Sequence, residues 1–147
     1  NETNKGVGSN SLQDGVIPLK YKIESNNAGN QCQTDWIVYR YADVLTLLAE
    51  AIVREGNTVT TEAINLLNQV RTRAGLTAYT ASSFSSARDF LDKLLIERAH
   101  EFYFEGCRRQ DLIRDGSYVA TMKQKCTDYG QVSIINENSY YCGTRDY

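Results

Sequence analysis

Proline is all but missing from this 147-residue sequence, and Pro18 is the only one. Helix ends in the rest of the chain must therefore come from glycine and asparagine. Histidine is as scarce: His100 stands alone beside four cysteines, none in a C-x-x-C pair. That argues against a zinc cage and against any metal. His100-Glu101 opens like H-E-x-x-H, but Phe104 occupies the second ligand position, so the zincin reading fails. No run of about 18 apolar residues exists to span a bilayer. No signal peptide opens the chain, and the polar start Asn1-Glu2-Thr3-Asn4-Lys5 reads as cut from a longer protein. G-x-S-x-G is absent. Gly6-Val7-Gly8 has G-x-G spacing but neither a strand before it nor a helix after it, so no dinucleotide cofactor is expected. The net charge is −2 and bases interleave with acids, which leaves no phosphate-tracking stripe and no nucleic-acid partner.

What is present is a helical pattern. Hydrophobic residues make up 41% of the chain, enough for one domain with a core. Residues 1–34 read as an irregular lead-in rich in Gly, Asn and Ser, with an extended piece at Ile17–Ile23. Residues 35–116 read as the helical core. Its first helix is capped by Thr34 or Asp35, or begins nearer Arg40 if Ile37 and Val38 are extended. Tyr41, Val44, Leu45, Leu48, Ala51 and Ile52 form its predicted apolar face, and Gly56-Asn57 ends it. Thr60 or Thr61 caps a second helix that faces inward through Ala63, Ile64, Leu67, Val70 and Ala74 and stops at Gly75. The short link makes the two an antiparallel pair. Ser86 and Asp89 resemble a capping box for a third helix carrying Phe90, Leu91, Leu94, Leu95, Arg98 and Phe102, with Gly106 as its stop. Two more turns end at Gly116. In residues 117–147 a short helix over Ser117–Lys125 leads into a Cys- and Tyr-rich tail of loops from Cys126. The fold class is all-α, with tetratricopeptide-like helix pairs. Cys32, Cys107, Cys126 and Cys142 allow two disulfides in three connectivities, as suits an exported protein, or four reduced thiols.

The chemistry lies in charge. On a continuous third helix Glu97, Glu101 and Glu105 would stack four residues apart, and like charges so placed repel by a few tenths of a kcal/mol per pair. Paired carboxylates serve glycosidases, but only from opposite sides of a sugar. These lie along one surface, where no substrate passes between them, so no catalytic residue is assigned. Their expected partners are arginines of this segment, of Arg71-Thr72-Arg73, and Arg40. His100 and Cys107 lie on one helix face about 10 Å apart, too far to work as base and nucleophile. Tyrosines could stack on sugar rings, but Tyr39, Tyr41 and Tyr103 sit in amphipathic segments and read as core; Trp36 is open to either reading.

Two segments carry a resemblance. "RYADVLTLLAEA" with "AINLLNQVRTRAGL", and "LLIERAHEFYFEGCRRQDLIRDG", are similar in order and spacing to the C-terminal region of the SusD/RagB family; "PLKY" fits upstream. Arg40, Tyr41, Asp43, Glu50, Asn68, Arg71, Arg73 and Gly75 fall on the first signature. Glu97, Arg98, Glu101, Phe102, Glu105, Gly106, Arg108, Asp111, Leu112 and Arg114 fall on the second. The resemblance implies a fragment of a non-enzymatic nutrient-binding lipoprotein on the outer surface of the outer membrane of Bacteroidetes-type bacteria. Such a protein takes polysaccharide or peptide and acts as the lid of a SusC-like TonB-dependent transporter. It meets the membrane only through a lipid anchor, absent from this chain. A pattern shared by sugar- and peptide-specific members reads as scaffold. Arg40, Asp43, Glu50, Arg71, Arg73, Glu97, Arg98, Glu101, Glu105, Arg108, Asp111 and Arg114 are therefore expected to form a structural ionic network, with the ligand-contacting residues unassigned. The alternative is a helical-repeat scaffold that binds only protein.

Overall fold

The computed structural model describes residues 3–4, 15–16, 20, 35 and 37–128. The chain divides into two units, Asn1–Val38 and Tyr39–Tyr147. In the first, β1 (Thr3–Asn4) pairs antiparallel with β2 (Gly15–Val16), Thr3 opposite Val16 and Asn4 opposite Gly15. Apart from Lys20, the expected extended piece at Ile17–Ile23 lies outside the described residues, as do Trp36, Cys32, Cys142 and the tail from residue 129.

The described part of the second unit is helical. It contains α1 (Tyr41–Gly56), α2 (Thr61–Arg73), a 3-10 turn (Ala81–Ser83), α3 (Ala87–Glu101), α4 (Arg108–Asp115) and α5 (Tyr118–Asp128). The first two form a helix pair, α3 packs on both, α4 on α3, and α5 on α4. This is the all-α, tetratricopeptide-like arrangement of helix pairs.

Local chemistry explains most boundaries. Asp35 does not cap α1. The β-branched and aromatic Ile37-Val38-Tyr39 disfavour helix, and Arg40, extended at φ −146° and ψ 164°, holds the N-cap position without a side-chain bond. Its guanidinium is engaged elsewhere. Asn57 ends α1 in the left-handed region at φ 45°, which a short polar side chain tolerates. Thr60 accepts from Ala63 N at 3.1 Å to start α2. Gly75, at φ 79°, lets Leu76 N reach back to Arg71 O at 2.9 Å and close α2. Ser86 accepts from Asp89 N at 3.1 Å, while Asp89 Oδ2 accepts from Ser85 N at 2.9 Å, so the reciprocal bond lands one residue earlier than in a capping box. The last helix runs through Asp128, past the Cys126 at which loops were expected.

Two expectations are corrected. First, α3 ends at Glu101, well before Gly106. Phe102 caps it, and Phe104 turns the chain at φ 67°. Glu105 is therefore in a turn rather than on the helix, the three-glutamate stripe is broken, and no helix joins His100 to Cys107. Second, α1 buries only part of the predicted face, with Leu45 buried and Ile52 half-buried. Tyr41, Val44, Leu48 and Ala51 are exposed, whereas Ala42, Leu45, Thr46, Ala49 and Val53 are buried. Small residues on that face let α2 and α3 approach closely, which outweighs the larger side chains opposite. Ala74 is likewise exposed.

One apolar cluster joins Ala49 and Val53 of α1, Ala63, Ile64 and Leu67 of α2, and Phe90 and Leu94 of α3. Phe90 meets Phe84 at 4.9 Å between ring centroids, and Phe84 meets Tyr79 at 5.1 Å. A second cluster gathers Ala42, Leu45, Val70 and Phe102. Because Phe90 is fully buried, Phe90→Ala is expected to cost about 3–5 kcal/mol. Val44→Ala, on the face that sequence alone favours, should stay within about 0.5 kcal/mol. Denaturant midpoints of the two variants check the assignment.

Candidate functional site

Arg98 is a deeply buried charge, at 2% exposure. It lies on the inner face of α3, one turn after Leu94. Its Nε and Nη2 donate to the two oxygens of Asp111 on α4 at 3.0 and 2.9 Å. Its Nη1 donates to Thr46 Oγ1 on α1 at 2.5 Å and stands 2.7 Å from Asp43 Oδ1, which accepts no well-directed bond. Thr46 Oγ1 in turn donates to Ala42 O at 2.9 Å. The pairing extends through α4. Arg114 donates to Asp111 at 2.9 Å and grips both oxygens of Glu50 on α1 at 3.0 and 2.9 Å. Arg54 also donates to Glu50, at 2.8 Å.

A second joint sits just beyond, where α3 ends at Glu101. Arg40 donates to Glu105 through Nε at 2.9 Å and Nη2 at 3.0 Å, to Glu101 O at 2.7 Å, and to the Glu101 carboxylate. Arg73 at the end of α2 shares that carboxylate. The guanidinium carbons of Arg40 and Arg98 lie 4.5 and 4.7 Å from the Phe102 ring centroid. This cation–π contact lets one apolar ring serve two charges. Arg71 pairs with Glu97 and stacks over Tyr79 at 3.8 Å, and Tyr79 OH reaches Glu97 at 3.3 Å. Asn68 holds the Tyr79 backbone at both N and O, at 2.7 and 2.8 Å.

Geometry thus joins Arg40, Asp43, Glu50, Arg71, Arg73, Glu97, Arg98, Glu101, Glu105, Asp111 and Arg114 in arginine–carboxylate pairs. Arg108 is the exception. It is exposed and donates to Leu95 O at 2.9 Å, so it reaches a carbonyl instead of a carboxylate. Sequence reasoning missed Thr46, and also the clamp of Arg88 on Asp115 at 2.9 and 3.1 Å. The signal for that clamp was present, since Asp115 stands four residues after Asp111 and so shares its helix face.

Two clefts border these joints. An open groove of about 740 Å³ between α1 and α2 has Arg40, Tyr41, Gln69, Thr72 and Arg73 around a floor of Ala42, Leu45 and Val70. The other, beside Glu50, Arg98 and Asp115, has room for about one water at most, at about 10 Å³. Tyr39, Tyr41 and Tyr103 are exposed at 81%, 69% and 52%, against the expectation that they are core. Tyr103 and Phe104 form an exposed aromatic pair 5.7 Å apart. Among the described residues no group of His, Cys, Asp and Glu can hold a metal, and no helix is long and apolar enough to cross a membrane. Cys107 is a free, half-buried thiol. Burial and then the nearby Asp43 and Asp111 hold it above the ordinary thiol range, which disfavours the nucleophilic thiolate.

The model of the SusD family matches residues 1–142. The chain belongs to the SusD family. Among curated relatives it is 37% identical over 95 residues to a SusD-like protein P38 of Formosa agariphila, covering 60% of this chain and 18% of that protein. It is 35% identical over 108 residues to the starch-binding protein SusD of Bacteroides thetaiotaomicron, covering 74% of this chain and again 18% of the relative. The matched stretch is thus under a fifth of each relative's length. No solved structure matches the chain. Within the family signature the pairs of Asp43, Glu50, Arg98, Asp111 and Arg114 connect α1, α3 and α4.

Burial alone would raise the Glu50 carboxyl. Its bonds to Arg114 and Arg54 outweigh that and leave it below the ordinary carboxylate range. Asp115 is lowered in the same way, with burial opposing and Arg88 prevailing. Lowered folded values mean that both groups contribute stability above the unfolded carboxylate range. That stability is lost as pH falls through the folded values. The melting temperature should therefore hold from pH 7 to about pH 5 and drop below about pH 4. Glu50→Gln should lower the melting temperature at pH 7 and flatten the acid limb, as calorimetry across pH will show. Arg98→Ala, which strands Asp43 and Asp111, is expected to cost about 3–5 kcal/mol. Arg108→Ala should cost under about 1 kcal/mol in the same denaturation assay.

Proposed function

We propose that this chain is scaffold within a non-enzymatic, glycan-capturing protein of the SusD type. In this reading the protein sits on the outer surface of the outer membrane through a lipid anchor and closes as a lid on a SusC-like TonB-dependent transporter. The observation that carries it is family membership over residues 1–142, with a relative named a starch-binding protein. The site chemistry agrees. Glu97, Glu101 and Glu105 are each committed to arginines, an arrangement suited to fixing helix positions. Acid–base catalysis would instead need carboxylates held at separate pKa values across a substrate.

A second reading, a helical scaffold that binds only protein, draws on the apolar residues left outside: Tyr39, Tyr41, Val44 and Leu48. Exposed apolar surface of that kind marks protein contacts. Isothermal titration of the encoded polypeptide with a polysaccharide panel separates the two. Saturable binding without release of reducing sugar, together with co-purification of a β-barrel transporter, is the expected outcome. Binding to no saccharide favours the protein-only reading, and sustained hydrolysis removes both.

A further inference from the structure

Helix α4 is fastened differently from the helices it rests on. Leu112 is its single buried apolar side chain, and Asp111 is its other buried residue. Neither apolar cluster contains a residue of α4. Its attachment is ionic instead. Asp111, Arg114 and Asp115 share one helix face, and each meets the α1–α3 frame in a two-pronged clamp. Arg98 holds Asp111 at 3.0 and 2.9 Å, and Arg114 holds Glu50 at 3.0 and 2.9 Å. Arg88 holds Asp115 at 2.9 and 3.1 Å.

The clamped charges of the frame also have partners on their own side. Arg98 keeps Asp43 at 2.7 Å and Thr46 at 2.5 Å, Glu50 keeps Arg54 at 2.8 Å, and Arg88 keeps Asp92 at 2.6 Å. Within α4, Asp111 and Arg114 pair at 2.9 Å. Lifting α4 away therefore leaves none of these frame charges buried and alone. On its own side α4 also exposes little apolar surface, because Leu112 is its single buried apolar residue. Breaking one clamp with the others closed is unfavourable, since it leaves a covered carboxylate, Asp111, Glu50 or Asp115, short of a partner. The three clamps consequently open or close together.

We propose that α4 is a detachable ionic latch. It releases as a unit while α1, α2 and α3 stay folded, and it uncovers the Glu50–Arg98 face of the frame. Native-state hydrogen exchange of this chain at pH 7, followed by NMR in low denaturant, tests it. Amides of residues 112–117 should open at least about tenfold more often than those of 64–70 and 90–94, with a shallower denaturant slope. Arg114→Met removes one clamp and leaves the apolar clusters intact. It should raise exchange in 112–117 at least about tenfold further and leave the frame within about twofold of its original rates. Equal opening and equal slopes in the unmodified chain would overturn the proposal, as would an Arg114→Met variant that accelerates frame and α4 alike. Should that variant not fold, the unmodified chain decides by itself.

Discussion

A guanidinium with almost no access to water has to be met by anions and acceptors at fixed places, and Arg98 imposes that constraint here. Its five N–H groups lie in one plane, so the groups that meet them are fixed in direction as well as distance. Asp111 is held through both oxygens, Thr46 through its hydroxyl, and Asp43 by charge. These partners sit on α1 and α4. The orientation of α3 relative to both is therefore set by one side chain, and the apolar clusters fill the space that the clamp defines. Desolvation of such a group offsets much of its Coulombic gain. What the pairing supplies is one docking geometry out of several that hydrophobic burial alone would permit.

The same logic recurs a few residues further on, where α3 ends. Arg40 precedes the first turn of α1 in extended backbone and ties Glu101 and Glu105 together. Those two carboxylates belong to different local structures, a helix end and a turn with left-handed Phe104. A strained residue persists where its surroundings over-determine it, and Arg40 on one side with the buried Phe102 on the other provides that. Acids grouped closely enough in sequence to suggest catalysis are in this way consumed in holding helices together. That commitment is what the proposed scaffold role draws on.

The outward surface tells a second story. Residues that are large and apolar, including Tyr41, Val44 and Leu48, face away from the frame. The frame instead uses Ala42, Thr46 and Ala49, which permit close approach of backbones. Helix–helix contact is governed by how near the axes can come as well as by how greasy a face is. A periodicity reading weighs hydrophobicity and misses that competition.

The helices, most of their caps and the inner face of α2 were legible from residues alone, because those features are local. Thr60, Gly75, Ser86 and Gly116 act on the backbone within a turn of themselves, and Ala63, Ile64, Leu67 and Val70 repeat at helical spacing. Membership in the SusD family was legible too, since motif order and spacing are properties of the chain. Tertiary structure decided the rest. It chose which face of α1 is buried, ended α3 at Glu101 where a charged, apolar-spaced run would have continued, and paired each arginine with its carboxylate. It also turned Arg108 onto a carbonyl. Sequence determines which charges exist and roughly where they stand on a helix. Which ones meet depends on distances between segments tens of residues apart, and only the packed helices set those.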